Sequence, residues 1–428
     1  MKCKKLKMKK SFVIVIFAFV IGVVLVGFFL VNKELKERKQ EQLIKEEKER
    51  KEKLLLEIKS SYNKYVKTTN ETKLYELKDS KYVEVGIVSK DVELILKETE
   101  ITHDTLYFII DGMDLYVSYK DVSKLENLTA KDDVYKKYIP FNENVVTKDF
   151  TTFYDEKGLV YKLNKGINLP LLIKDTDKYY VEYNNQLLYI KKDESSLKDN
   201  QNTKEKVREN IRTLTYHTVY NIESETCTNT VICHPIAQFD SHMKYLSEND
   251  YFTLRMKDLE LFLEGKIRIP QKSIVVTLDD GKYAQNAVDI VEKYKVYATY
   301  FIITSRYDVS NIQTTYMDFE SHTHNLHNNW KCSGGNQGGQ LLCEKEEIIL
   351  EDLKTSQEKL ESSISLAYPF FDFNERAINL LKKSGFRLAF VGQYNTNGYA
   401  TTKTDKYKIP RKTIFSYDSL DTFISYLR

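Results

Sequence analysis

Residues 12–31 form an unbroken apolar run whose most polar members are Gly22 and Gly27. A helix of that length, rising ~1.5 Å per residue, covers a hydrocarbon core of roughly 30 Å, so a membrane-spanning helix is expected there. The run ends Phe28-Phe29-Leu30-Val31-Asn32 and passes directly into charge. It lacks the small-x-small exit of a cleaved signal peptide, which favours a retained signal anchor behind a basic tail of residues 1–11. Residues 32–69 alternate Lys, Glu and Arg blocks with sparse Leu35, Leu43, Ile44, Leu54 and Leu55, the pattern of a solvated helical stalk. Those apolar positions do not hold a heptad over three turns, which argues against a strong coiled coil.

The period then shortens. Runs rich in Tyr, Val and Ile, separated by Asp-Gly, Lys-Gly and Asn-Asn, predict antiparallel β structure in two small barrel-like modules, residues 70–130 and 140–195. The stretches 107–117 and 180–190 look like repeats: a strand, a two-residue turn region, and a strand ending Leu-Tyr-aliphatic. Their tyrosines serve either as core or as a glycan-binding surface. From about 205 to 428 the pattern alternates between strands (212–219, 273–278, 298–304, 364–368, 386–391) and helices (236–247, 284–294, 346–362, 374–384). That alternation predicts an α/β fold, a distorted (β/α) barrel whose chemistry gathers at the C-terminal ends of its strands.

Composition narrows the class. At 428 residues, 42% hydrophobic and 30% charged, the chain is too long for one ordinary domain and too apolar for disorder. With 15 Gly and 6 Pro it is neither collagen-like nor low-complexity. The net charge of +3 is smaller than the six lysines of residues 1–32, so the remainder is slightly acidic and a nucleic-acid partner is not expected. Of five cysteines, Cys3 precedes the anchor, and the others fall after it as the close pairs Cys227/Cys233 and Cys332/Cys343. Lys and Arg flank the anchor on both sides and do not decide its orientation. Two local disulfides in an extracellular domain fit the cysteine spacing, the alternative being four thiols in a cytosolic one.

The polar chemistry lies where a barrel would put it. Thr277-Leu278-Asp279-Asp280-Gly281 follows the apolar Ile274-Val275-Val276, placing two carboxylates at a strand end. One of them suits a metal and the other a base. A lone Asp-Asp-Gly is more simply a turn, but Ser321-His322-Thr323-His324-Asn325-Leu326-His327 adds three of the seven histidines. Two imidazoles and a carboxylate make a facial site for Zn²⁺ or a similar divalent ion. Two pairings are open, the outer pair His322/His327 and its rival His324 with His327.

These two motifs together resemble the NodB-homology polysaccharide deacetylases, carbohydrate esterase family four, over residues 205–428. The resemblance implies that Asp279 is the general base and Asp280 a metal ligand. The separation of five between His322 and His327 resembles the branch that deacetylates poly-N-acetylglucosamine, which implies the outer pair as the metal histidines. The upstream Tyr-His of that branch is similar to Tyr216-His217 and implies His217 as the acid. Ala367-Tyr368-Pro369-Phe370 resembles the Tyr-Pro-Tyr groove motif, implying an oxyanion-holding N–H at Phe370, although Phe371 stands where relatives have Gly. Lys408-Ile409-Pro410-Arg411 resembles the late Pro-Arg element, implying that Arg411 orients Asp279. The insert 328–343 carries Trp330, the only Trp, which either stacks on a sugar ring at the rim or belongs to a merely structural loop. The implied activity is metal-dependent, most simply zinc-dependent, removal of N-acetyl groups from peptidoglycan or poly-N-acetylglucosamine by a membrane-anchored, outward-facing enzyme. The alternatives are an O-acetyl esterase on wall polysaccharide and a non-catalytic wall-binding protein. The residues fix neither the glycan, the metal nor the oligomeric state.

Overall fold

A computed structural model of the chain describes residues 10–97, 107–200, 205–361, 363–392 and 398–428. Most of the basic tail, residues 1–9 with Cys3, lies outside the described residues. The chain divides into two compact units, residues 1–130 with 159–163, and residues 131–158 with 164–428.

The first unit opens with α1 (Lys10–Ser61), a single helix of 52 residues and therefore about 78 Å long. It carries the only stretch among the described residues long and apolar enough to cross a membrane, with Phe17, Phe19, Phe28 and Phe29 all outward-facing. Its polar half is laced by surface pairs such as Arg38–Glu34 at 2.8 Å, each contributing no more than about 0.5 kcal/mol. The helix ends before the expected stalk does. Tyr65–Thr68 is already a strand, antiparallel to Glu93–Ile95 and Val122–Leu125, because Val66 and Thr68 bury one face of it. Further open ladders follow rather than a small barrel, including Thr72–Lys78 with Lys81–Val88, and Tyr107–Ile110 with Leu115–Ser118. The last hairpin turns through the four residues 111–114, not two.

In the second unit the matching hairpin, Lys178–Tyr183 with Gln186–Lys191, turns on Asn184-Asn185 alone. Both asparagines have left-handed φ (48° and 59°), the conformation a two-residue type I′ turn demands. Val134, Tyr135, Tyr138, Leu172 and Ile173 share one core with the barrel residues Ile211, Phe262, Ile269 and Val275. That shared core makes this β segment and the barrel a single compact unit.

The barrel is built from β1 (Ile211–Tyr216), β2 (Ser273–Asp280), β3 (Ala298–Ile302), β4 (Met317–Ser321), β5 (Ser365–Ala367), β6 (Leu388–Val391) and β7 (Ile409–Thr413). Every neighbouring pair is parallel, and β1 pairs with both β2 and β7, so seven strands close on themselves. The helices are α2 (Ile236–Glu248), α3 (Met256–Leu263), α4 (Ala284–Tyr294), α5 (Glu346–Lys359), α6 (Glu375–Lys383) and α7 (Leu420–Leu427). Along β2, Ile274, Val276 and Leu278 pack with Ala287, Val288 and Val291 of α4. The alternate residues Val275, Thr277 and Asp279 face the other way, into the barrel. Burial on both faces is why β2 reads as a continuous apolar run.

Two elements of the barrel were hidden from the pattern. In β4 the inward positions are Asp318 and Glu320, and the latter accepts from Ser363 Oγ (2.7 Å) and from the N–H groups of Ile364 and Ser365 (both 2.8 Å). Burial pushes Glu320 up to about 7. In β7 the second residue is Pro410, which a strand interior ordinarily excludes.

Burial also depresses two histidines behind β1. His242 on α2 bonds Tyr216 Oη through Nδ1 (3.0 Å), stacks on Phe423 at 4.1 Å, and is held down at about 3 by burial. His234 is held at about 4, again by burial. The unfolded chain, with histidines near 6.5, binds protons that the folded chain refuses, so each histidine makes stability fall as pH drops from about 6.5 to about 4. The expected slope is about 1.4 kcal/mol per pH unit per histidine. Urea unfolding followed across that window should show the loss, and His242→Phe should make it shallower; an unchanged slope in that variant would contradict the assignment.

Candidate metal centre and active site

Asp279 and Asp280 end β2, and the backbone between them changes hand. Asp279 remains extended and points into the barrel, 2% exposed, whereas Asp280 takes φ +82° and Gly281 φ +106°. The turn favours glycine, and a Cβ on Gly281 would in addition crowd the side chains of Ile302 at 3.0 Å and Tyr307 at 3.2 Å. The two adjacent carboxylates are thereby aimed at different partners.

Asp279 meets Arg411. From β7 the guanidinium donates Nη1–H to Oδ1 (2.7 Å) and Nη2–H to Oδ2 (2.8 Å), and Arg411 is fully buried. Phe301, Phe371 and Phe390 surround it with ring faces within 5.6, 5.3 and 5.9 Å. Burial pushes the Asp279 carboxyl up, but the charge of Arg411, with its two hydrogen bonds, outweighs that and holds it at about 2. The group is a carboxylate throughout the physiological range.

Asp280 meets the histidines. Its Oδ1 lies 3.8 Å from His322 Nε2 and 3.5 Å from His327 Nε2, and one donor atom from each of the three residues falls within 4.8 Å of the others. His322, at the end of β4, donates its Nδ1–H to the carbonyl of Ala367 in β5 (2.7 Å), which leaves the Nε2 lone pair facing Asp280. Burial lowers both rings from their ordinary values, His327 to about 3, so they are neutral and able to ligate at neutral pH. A carboxylate and two neutral imidazoles with converging lone pairs fit a divalent ion of the zinc type. His324 is turned away, its Nδ1 bonded to Thr304 Oγ1 (3.0 Å), so the rival pairing of His324 with His327 is not assembled.

Two acidic residues without any sequence motif hold these loops. Asp352 on α5 accepts the backbone N–H of His324 (2.8 Å) and of Asn325 (2.6 Å), folding the loop so that His327 returns toward Asp280. Its signal was faint but present, since Ile349, Asp352, Leu353 and Ser356 form the buried stripe of an otherwise polar helix. Asp372 accepts from the N–H groups of Asn336, Gln337 (3.1 Å) and Gly339 (2.8 Å), pinning the insert after the histidines. The same insert is tied by a disulfide, Cys332–Cys343, and a second joins Cys227 to Cys233.

The remaining candidates separate. His217, Asp280, His327, Lys282, Arg306 and Tyr307 line one cleft of about 200 Å³, beside Cys227–Cys233. Phe370 stands over His327, ring centroids 4.4 Å apart, with left-handed φ of +57°. Pro369 is buried. Tyr368 does not reach the cleft with its side chain: the ring is fully buried in the core beside α5 and α6, and its hydroxyl donates to Tyr407 O (3.2 Å). Trp330 is 76% exposed at the insert's edge, also with left-handed φ (+57°).

The sequence model of the family described as polysaccharide deacetylase matches residues 266–389. A poly-β-1,6-N-acetyl-D-glucosamine N-deacetylase of Staphylococcus aureus is 30% identical over 210 residues, which cover 44% of this chain and 69% of that protein. Its namesake from Staphylococcus epidermidis is 29% identical over 209 residues, with the same coverage. A solved Streptococcus pyogenes deacetylase in complex with acetate aligns with TM-score 0.41 and 19% identity over 51% of this chain and 98% of its own. With both metal motifs inside the matched region, this chain belongs to the polysaccharide deacetylase family.

Proposed function

We propose that the protein is a membrane-anchored, metal-dependent N-deacetylase that acts outside the cell on an N-acetylglucosamine polymer, most closely poly-β-1,6-N-acetylglucosamine, releasing acetate. The observation that carries this reading is the convergence of Asp280, His322 and His327 beside an Asp279 that Arg411 keeps ionised. The names of the staphylococcal relatives supply the glycan. The long apolar N-terminal helix and the two cysteine pairs beyond it supply the anchor and the outward orientation.

In this reading Asp280, His322 and His327 hold the ion. A carboxylate held at about 2 is a weak base, and a divalent metal such as zinc, when bound, supplies what it lacks by acidifying the water and polarising the acetamide carbonyl. Asp279 takes the proton from the attacking water, and Arg411 keeps that carboxylate aimed. The Phe370 N–H offers a hydrogen bond to the oxygen that becomes negative. His217, across the cleft, gives a proton to the nitrogen as the carbon–nitrogen bond breaks, because an amine leaves only when protonated. Water and amide are thereby converted to acetate and a free glucosamine unit.

The direct test is acetate release from β-1,6-linked N-acetylglucosamine oligomers and from peptidoglycan, abolished by a chelator and restored by zinc. Activity confined to peptidoglycan would redirect the substrate assignment, and activity indifferent to chelation would end the metal assignment. Metal analysis should find His322→Ala and His327→Ala depleted and His324→Ala loaded; the reverse for His324 and His327 would overturn the ligand set. Asp279→Asn should slow hydrolysis of both the amide and an activated aryl acetate. His217→Ala should lower kcat on the amide by ~10²–10⁴-fold and largely spare the aryl ester, whose leaving group departs unprotonated. Mass mapping without reduction should recover Cys227 linked to Cys233 and Cys332 linked to Cys343, whereas free thiols at all four would place the domain in a reducing compartment.

A further inference from the structure

Behind His217 stands a second imidazole that the reaction just described does not use. His217 follows β1, and two residues later Val219–Tyr220 pairs in parallel with His234–Pro235, Val219 opposite His234. The His234 backbone N–H donates to Thr218 O at 2.7 Å, holding the two segments together. The His234 ring is fully buried, packs edge-on against Tyr216 with centroids 5.0 Å apart, and lies close enough to His217 for a charge there to depress it.

The tautomer of His234 can be deduced. Its Nδ1 is 3.0 Å from Gln238 Oε1. The Gln238 amide nitrogen lies among three carbonyls, those of Phe415 (3.0 Å), Ser416 (3.2 Å) and Asp418 (2.8 Å), which its two hydrogens share, and this fixes its oxygen as the end facing His234. An amide oxygen only accepts, so His234 carries its proton on Nδ1 and presents a bare lone pair at Nε2. That Nε2 is buried without a hydrogen-bond partner among the described residues. So is Nδ1 of His217, although the His217 ring borders the cleft, which leaves Nε2 as the nitrogen that the cleft reaches. The ionisable groups that share the cleft with His217, namely Asp280, Lys282, Arg306, Tyr307 and His327, do not bond its Nδ1. Nor does Asp279. A buried lone pair on one ring and an unpartnered buried nitrogen on the other are complementary when the second carries the proton.

The two nitrogens are not directly bonded to each other in the structure, and we propose that His234 is a positioning residue that accepts Nδ1–H of His217 at its own Nε2 through one bridging water, and so holds the ring with His217 Nε2 facing the substrate. As the acid, His217 carries hydrogen on both nitrogens; it gives the Nε2 proton to the leaving nitrogen, is left as the neutral Nδ1–H tautomer, and regains a proton from water after the products leave, while His234 neither gains nor loses one. The inference rests on the assignment of His217 as the acid and adds the element that orients it.

The test is a double-mutant cycle in the full chain in detergent, with kcat measured on a β-1,6-linked N-acetylglucosamine oligomer and on an aryl acetate. His234→Phe should lower kcat on the amide on the order of 10-fold or more, as loss of an orienting partner does at comparable sites. It should leave the aryl ester nearly unchanged and add nothing in the His217→Ala background. Equal loss on amide and ester, or losses that multiply in the double variant, would mean that His234 only supports the fold and would overturn the proposal. If His217→Ala itself loses amide and ester activity equally, the failure belongs to the acid assignment, and His234 has no acid to position. Should His234→Phe not fold, ¹⁵N-histidine spectra of the unaltered protein decide the matter: an Nδ1–H tautomer at His217 is expected, and an Nε2–H tautomer would overturn the proposal.

Discussion

Arg411 and Asp279 form a two-hydrogen-bond ion pair inside a closed barrel, with almost no surface exposed on either side chain. Each charge is tolerable there only because the other is present. Removing one partner of such a pair typically costs 3–5 kcal/mol, because the survivor is left buried and uncompensated. The pair is also where the barrel's closure and its chemistry meet. Arg411 lies on β7 and Asp279 on β2, and β1 runs between those two strands. The strand that closes the ring therefore also sets the span that the ion pair bridges.

Around this pair the loops are held by carboxylates that accept backbone N–H groups. Glu320 holds the approach to β5, Asp352 the loop carrying His324 and His327, and Asp372 the insert carrying Trp330. A carboxyl group can serve two or three donors at once, and where it is ionised those hydrogen bonds are roughly twice as strong as neutral ones. This suits irregular loops, whose N–H groups have no ladder to join. The disulfide Cys332–Cys343 adds a covalent tie to the same insert. The left-handed residues Asp280, Thr323, Trp330 and Phe370 all lie in these loops or at their junctions with the strands. Conformations of that kind persist only where surrounding contacts over-determine them.

The histidines divide according to how their second nitrogen is used. His322 gives its Nδ1–H to a main-chain carbonyl and keeps a lone pair facing Asp280, whereas His324 spends its Nδ1 on Thr304. His242 and His234 are neutral core groups, one bonded to a phenol and one to an amide. Nothing in their composition distinguishes these roles; the acceptor beside each ring does.

Local pattern alone determined a good deal. The apolar run of residues 12–31, the solvated helix after it, the continuous apolar strand before Asp279 and the amphipathic α4 are written in periods of 3.6 and 2, which depend only on near neighbours. The Asp279-Asp280 and His322/His327 spacings were equally legible, since motifs of adjacent residues survive without knowledge of the fold. Tertiary structure decided the rest. It made β4 a strand despite Glu320, by supplying buried donors from Ser363, Ile364 and Ser365 at the start of β5, and β7 a strand despite Pro410, by closing a ring. It turned Tyr368 into the core, away from the cleft to which its motif pointed, and gave Asp352 and Asp372 their work in the loops. It also merged the β segment after residue 130 with the barrel in one core. These outcomes depend on partners more than twenty residues away in sequence, whose burial and hydrogen bonds no local period records.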